Sequence, residues 1–306
     1  MALAEAPGSY GRPGGFAGRA RPLSLGAVPP PALILLGILS VQVGAGLAKH
    51  MFDRLPPSAV VALRLCTSAV VLAFVTRGAL RAALRGRSGR DLAVVTGFGL
   101  TLALMNFSIY QSFARIPLGV AVTIEFLGPL AVAILGSRRP RDAVWAVLAF
   151  TGVLMLSRGG DMDPVGIAFA LVAGVCWAGY ILLSAATGRR FPGSTGLAAA
   201  SVVGTAAIMP LGVASGGGTL IDPQLLLFGF GVGLLSSVIP YSLELEALRR
   251  MPARVFGVLM SLEPAVAALI GVALLGEVLS ARQWAAIGCV IIACVGATRG
   301  QEEPSA

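Results

Sequence analysis

Long apolar runs alternate with short polar stretches along almost the whole chain. Ten runs stand out, at 32–49, 58–76, 92–113, 117–136 and 143–157, then at 165–184, 196–214, 225–247, 254–275 and 281–297. Each is continuous and lacks the in–out alternation of a membrane-crossing strand, so the pattern predicts bilayer-spanning helices rather than a barrel. Runs shorter than the ~20 residues of a straight span require local thinning or snorkelling arginine ends. Between the runs, only 77–91 reaches fifteen residues. No soluble domain is inserted, and any activity must lie within the helix bundle. Small residues recur at four-residue spacing, as in Ala170-x3-Gly174-x3-Ala178 and Gly229-x3-Gly233, which lets helix backbones approach closely.

Composition strengthens this picture. The chain is 56% hydrophobic and 12% charged, where a soluble domain carries roughly a quarter charged residues. The expected fold class is an all-α polytopic membrane protein with ten transmembrane helices. The net charge of +9 raises the question of a nucleic-acid partner, but the arginines sit between apolar runs, where cytoplasmic loops carry them. Arg supplies all but one of the 23 basic residues, and Ala and Gly are abundant, which suits a bacterium with GC-rich DNA. With the N-terminus inside, seventeen basic residues fall on cytoplasmic segments and five (Lys49, Arg54, Arg115, Arg158, Arg282) at the outer side. That bias predicts that both termini are cytoplasmic.

Residues 1–28, rich in Gly, Pro and Arg, read as a disordered cytoplasmic tail. A secretory signal is the rival reading, but no small-x-small cleavage site follows the first run and further spans do. Two halves of five spans, 29–158 and 159–298, are followed by a short tail at 299–306. Five is odd, so the second half starts from the opposite face, as in inverted-repeat transporters. The four cysteines lie inside apolar runs without a CxxC pair, so neither a disulfide nor a metal site is expected.

Two carboxylates then change the picture from scaffold to site. Arg115-Ile-Pro117 leads through Glu125 to Pro129, and Arg250-Met-Pro252 leads through Glu263 to Pro264. Glu125 lies about 12 Å past Pro117 and Glu263 about 16 Å past Pro252 at the helical rise. In a hydrocarbon core of ~30 Å, both sit near the midplane, approached from opposite faces. A charge there is expensive and marks a functional site or a packing device. Such a carboxyl is a candidate to exchange protons or to pair with a substrate ammonium. The two are offset: aligned on the first prolines, Glu125 matches Met260 and Glu263 matches Gly128, about one turn. An asymmetric site is therefore expected, with Glu125 as the choice for proton carrier. Pro129 and Pro264 each remove a helical hydrogen bond, which makes them candidate helix breaks or plain packing kinks.

Other polar groups in the spans are candidates to line or gate a cavity. Arg64 either snorkels or binds a carboxylate, and Lys49 divides in the same way. Gln42, Asn106 and Tyr110 are further candidates, as are Trp177 and Tyr180, which are equally suited to lipid or packing contacts. Glu244 and Glu246 lie near Arg249 and Arg250, where local ion pairing is expected. No phosphate-cradling motif is present, so ATP and other cofactors are not called for. The one histidine, His50, sits at a span edge and no Asp lies inside a span. A membrane-embedded protease therefore lacks its residues, and the chain reads as no enzyme.

Several stretches together resemble the drug/metabolite transporter superfamily, in its EamA-type branch. They are Pro117 to Ala133, Ser137-Arg-Arg-Pro140, Pro240-Tyr-Ser-Leu-Glu244, Met260-Ser-Leu-Glu-Pro-Ala265 and Leu275-Gly-Glu277. Within that branch the chain is most similar to bacterial threonine/homoserine exporters. The resemblance covers about residues 30–298. It implies two inverted five-helix repeats in the plasma membrane and export of small amino acids driven by protons. It also implies functional positions at Asn106, Glu125, Glu244 and Glu263. An exporter of cationic drugs or other metabolites is the alternative, since relatives in the superfamily carry different cargo.

Overall fold

The computed structural model describes residues 28–136, 143–157, 162–192 and 194–300. The expected tail at 1–28 falls outside these residues save for its last residue, the tail at 299–306 save for its first two, and Ser137–Pro140 falls outside entirely. The described chain is helical, with no strand. Its first half holds α1 (Pro30–His50), α2 (Pro57–Leu84), α3 (Gly89–Phe113), α4 (Leu118–Glu125), α5 (Leu127–Leu135) and α6 (Ala143–Ser157). Its second half holds α7 (Pro164–Gly188), α8 (Thr195–Gly216), α9 (Pro223–Gly233), α10 (Ile239–Leu248), α11 (Ala253–Met260), α12 (Glu263–Leu275) and α13 (Ala281–Gly300). A π-helical turn, Leu234–Val238, joins α9 to α10.

Proline starts many of these helices for a local reason. In the first turn its missing N–H has no partner to lose, and its fixed φ suits the helix. Pro30, Pro57, Pro164, Pro223 and Pro264 occupy that position, and Pro117 and Pro252 sit one residue earlier as caps. Asp163 and Asp222 cap α7 and α9 through their side chains, accepting from Val165 and from Gln224 and Leu225.

Among the described residues, nine helical stretches are long and apolar enough to cross a bilayer, and Ala143–Leu156 is a shorter apolar helix. The chain is a polytopic, multi-pass membrane protein. One expectation is corrected. Residues 77–91 are not a long loop, because α2 continues to Leu84 and α3 begins at Gly89. Hydropathy ends at Thr76 but helix propensity does not: Ala79-Leu80-Arg81-Ala82-Ala83-Leu84 consists of strong helix formers.

Helix α2 packs on α8, α3 on α7 and α8, and α1 on α10 and α12. Helix α4 packs on α12 and α7, and α6 on α13. The small-residue stripes explain how closely some of these approach. A Cβ on Gly128 would run into the backbone carbonyl of Gly174, and one on Gly119 would lie 2.5 Å from the Ala268 backbone. Gly229 and Gly233 seat Leu63 and Thr67 of α2 in the same way. The main core gathers Tyr110, Leu118, Ile124, Ala170 and Ala173, while Leu135, Val175 and Leu227 point outward, as lipid contact requires.

Candidate functional site

Three spans are broken, and each break has a proline behind it. A proline cannot donate to the carbonyl four residues earlier. For Pro129 that carbonyl belongs to Glu125, for Pro264 to Met260, and for Pro240 to Ser236. Glu125 is the last residue of α4, Met260 the last of α11, and Ser236 lies in the π-helical turn. All three line one cavity of about 630 Å³. Pro210, by contrast, lies inside the continuous helix α8. Sequence reasoning singled out Pro129 and Pro264 but missed Ser236 and Met260; the position four residues before an intramembrane proline was the available signal.

The cavity brings together most of the polar groups noted in the sequence. Gln42, Arg64, Asn106 and Glu125 line it from the first half; Trp177, Tyr180, Glu244 and Glu263 line it from the second. Tyr110 stands behind Arg64 and is fully buried. Pro129 and Pro264 shape the breaks without lining the space.

Each polar group has a distinct setting. Gln42 Nε2 donates to Glu263 Oε1 at 2.9 Å, both residues being buried. Arg64 Nη2 donates to the Ser236 carbonyl at 3.1 Å, the carbonyl that Pro240 leaves free. Its Nη1 donates to Tyr110 Oη at 3.3 Å, with the guanidinium 5.4 Å from that ring. So held, Arg64 is anchored inward rather than snorkelling. Asn106 spends its amide on the Leu102 carbonyl at 2.8 Å. Trp177 meets Phe126 edge-on at 4.8 Å between ring centroids, beside the break, and Tyr180 packs on Phe98 at 5.2 Å.

Ion pairing at the end of α10 belongs to Glu246, which reaches Arg249 and Arg250 at 3.9 Å each. The expectation that Glu244 shares in it is corrected. Glu246 lies three and four residues from the two arginines, on their face of the helix, whereas Glu244 lies five and six away and faces α1 at Gly37. Glu263 is within electrostatic reach of Glu244 and Glu125, and Glu125 within reach of Arg64. Among the described residues, no three acidic, His or Cys side chains are placed to hold a metal ion.

Beyond one end of the cavity, past Ala45, lies a clasp between Lys49 and the acid of the motif Leu275-Gly-Glu277. Gly276 takes a left-handed φ of 65°, which turns Glu277 back over α12. Glu277 receives Lys49 Nζ at 2.7 Å and the Leu118 backbone N–H at 3.1 and 2.9 Å. Lys49 also donates to the Ile116 carbonyl at 3.1 Å. The ends of α1 and α12 and the start of α4 are thereby tied together. The opposite end of the cavity is lined by Ser194, Glu246 and Arg249.

The model of the EamA-like transporter family matches residues 164–299. The threonine/homoserine exporter RhtA of Escherichia coli (strain K12) is 41% identical over 274 residues, which cover 88% of this chain and 91% of that protein. The chain belongs to the EamA-like transporter family. This EamA-like transporter is likewise 41% identical to the threonine/homoserine exporter RhtA of Salmonella typhimurium (strain SL1344), over the same shares of the two chains. A crystal structure of a protein 18% identical to it aligns with a TM-score of 0.58, over 86% of this chain and 95% of that one. That likeness concerns the fold alone. The family expected from the broken-helix segments is the family found, and with it the chain is a transporter rather than an enzyme.

Proposed function

We propose that this EamA-like transporter is a secondary-active exporter of small amino acids of the threonine and homoserine type in the bacterial inner membrane. It works by alternating access around a midplane site, coupled to protons. The observation that carries the reading is one membrane cavity lined by Glu125 and Glu263 from two broken helices, in a chain 41% identical to RhtA. A cationic-drug cargo is disfavoured, because the same wall carries the Arg64 guanidinium.

The architecture is ten spans in two inverted repeats, 29–158 and 159–298, with Ala143–Ser157 as the fifth span and both termini cytoplasmic. The helix contacts support this reading. Exchanging each span for the one five places away turns the α3–α7 contact into α1–α10, and α3–α8 into α2–α9. It turns the contacts of α4 and α5 with α7 into those of α11 and α12 with α1, and leaves α2–α8, α4–α12 and α6–α13 in place. In this topology the Arg249 end faces the cytoplasm and the Lys49–Glu277 clasp closes the outer side, so cargo enters from within.

The test is flux in proteoliposomes. An imposed pH gradient drives threonine or homoserine movement beyond that of protein-free vesicles, and Glu125→Gln or Glu263→Gln abolishes it while the protein remains folded and inserted. Unchanged flux in both variants would reassign the two acids to packing.

A further inference from the structure

We propose that Arg64 and Glu125 are the two poles of a zwitterion site: the guanidinium takes the carboxylate of an α-amino acid, and the Glu125 carboxylate takes its ammonium. The proposal rests on the amino-acid export reading above and assigns recognition within that site.

The guanidinium is anchored but not neutralised. Its two recorded partners, the Tyr110 hydroxyl and the Ser236 carbonyl, are uncharged, and its Nε has no partner. Among the described residues Arg64 forms no ion pair. A cation at membrane depth is normally paired, and the rigid fork of Arg matches a carboxylate better than any other side chain does. Its tethers fix the fork's direction before a ligand arrives.

Glu125 is the complement. It is 8% exposed, it lines the same cavity, and its carboxylate takes no hydrogen bond from the described residues. Arg64 and Glu125 face the same cavity, yet they do not close to the 4.0 Å of an ion pair. Contacts to Tyr110 and Ser236 fix the guanidinium, and Glu125 sits at the end of α4, beside the break at Phe126. A ligand in that cavity with a negative end and a positive end, as an α-amino acid has, would offer a partner to each.

Glu263 is differently placed. It is already engaged by Gln42 and has two carboxylates, Glu125 and Glu244, as electrostatic neighbours. On this proposal the acids divide, with Glu125 for cargo and Glu263 for the proton, where the sequence pattern alone had favoured Glu125 for the proton.

Binding to the purified full-length protein, read by thermal shift and by equilibrium titration, tests this with three probes. They are L-threonine, its amino alcohol (no carboxylate), and the matching 2-hydroxy acid (no ammonium). The wild type binds threonine about a hundredfold more tightly than either analogue, the loss expected when one buried charge is left unpaired. Arg64→Gln levels threonine with the amino alcohol but still rejects the hydroxy acid; Glu125→Gln does the reverse. Arg64→Lys, which keeps the charge and serves if the Gln variant fails to fold, retains part of the preference. If the variants melt cooperatively and keep the wild-type ratios, the two-pole assignment is wrong and amino-acid export stands. If the wild type binds no amino acid at all, it is the cargo reading that fails.

Discussion

At the scale of single residues, Gln42 decides how the two acids differ. Its amide is committed to Glu263 at 2.9 Å in a buried setting, while Glu125 has no such donor. Gln42→Leu keeps the volume and leaves buried Glu263 without its donor, which costs about 1–3 kcal/mol. A lower melting temperature and slower proton-driven flux are expected. In the double variant with Glu263→Gln most of that penalty disappears, because a neutral amide needs the donor less; additive penalties would show that the two side chains are not coupled. Polar groups such as Gln42, Arg64 and Glu263 were legible in the sequence because each interrupts an apolar run. Ser236 was not, since a serine in a helix routinely bonds its own backbone, as Ser242 and Ser68 do here. Its importance comes from Pro240 four residues later, which frees a carbonyl for Arg64.

At the scale of elements, α4 links the clasp to the site. It is eight residues long; Glu277 holds its first backbone N–H and Glu125 is its last residue. Lys49 and Glu277 are only partly exposed, 23% and 11% at the side chain, so their pairing is not screened away as a surface bridge would be. Lys49→Gln or Glu277→Gln is expected to lower export about tenfold, for a shift of ~1.4 kcal/mol between closed and open forms. Exchanging the two, Lys49→Glu with Glu277→Lys, restores the ion pair but not the Leu118 cap, since an ammonium accepts no hydrogen bond. Partial rescue is therefore the expected flux, and full rescue would mean that the cap is idle. Close crossings give a second element-scale outcome. Gly119→Ala drives a methyl onto Ala268 and costs about 1–3 kcal/mol by overpacking, whereas Gly97→Ala meets nothing within 4 Å and leaves the melting temperature unchanged or higher. Spans were legible to within a few residues because hydropathy marks them directly. The extension of α2 to Leu84 was not, because charged and apolar helix formers there continue a helix that hydropathy has already ended.

At the scale of the whole molecule, the clasp was not legible in the sequence, because its partners are far apart: Lys49 and Glu277 lie 228 positions from each other. The α1 residues lining the cavity stop at Ala45, about 6 Å short of Lys49 along the helix. The proposed alternating access needs a second state in which this end opens and the Ser194–Arg249 end closes, and on that proposal the clasp holds the first state. Cysteine labelling reads both ends once the four native cysteines, Cys66, Cys176, Cys289 and Cys294, are replaced. With the clasp intact, Ser194→Cys reacts with an impermeant reagent from the cytoplasmic face, and Ala48→Cys, fully buried, is silent from outside. Adding Glu277→Gln inverts the pattern: Ala48→Cys gains reactivity from outside and Ser194→Cys loses it. If both ends react in the same population, the cavity is a channel rather than an alternating site. If neither end changes, the outer closure rests on packing of α1, α4 and α12 rather than on the Lys49–Glu277 pair.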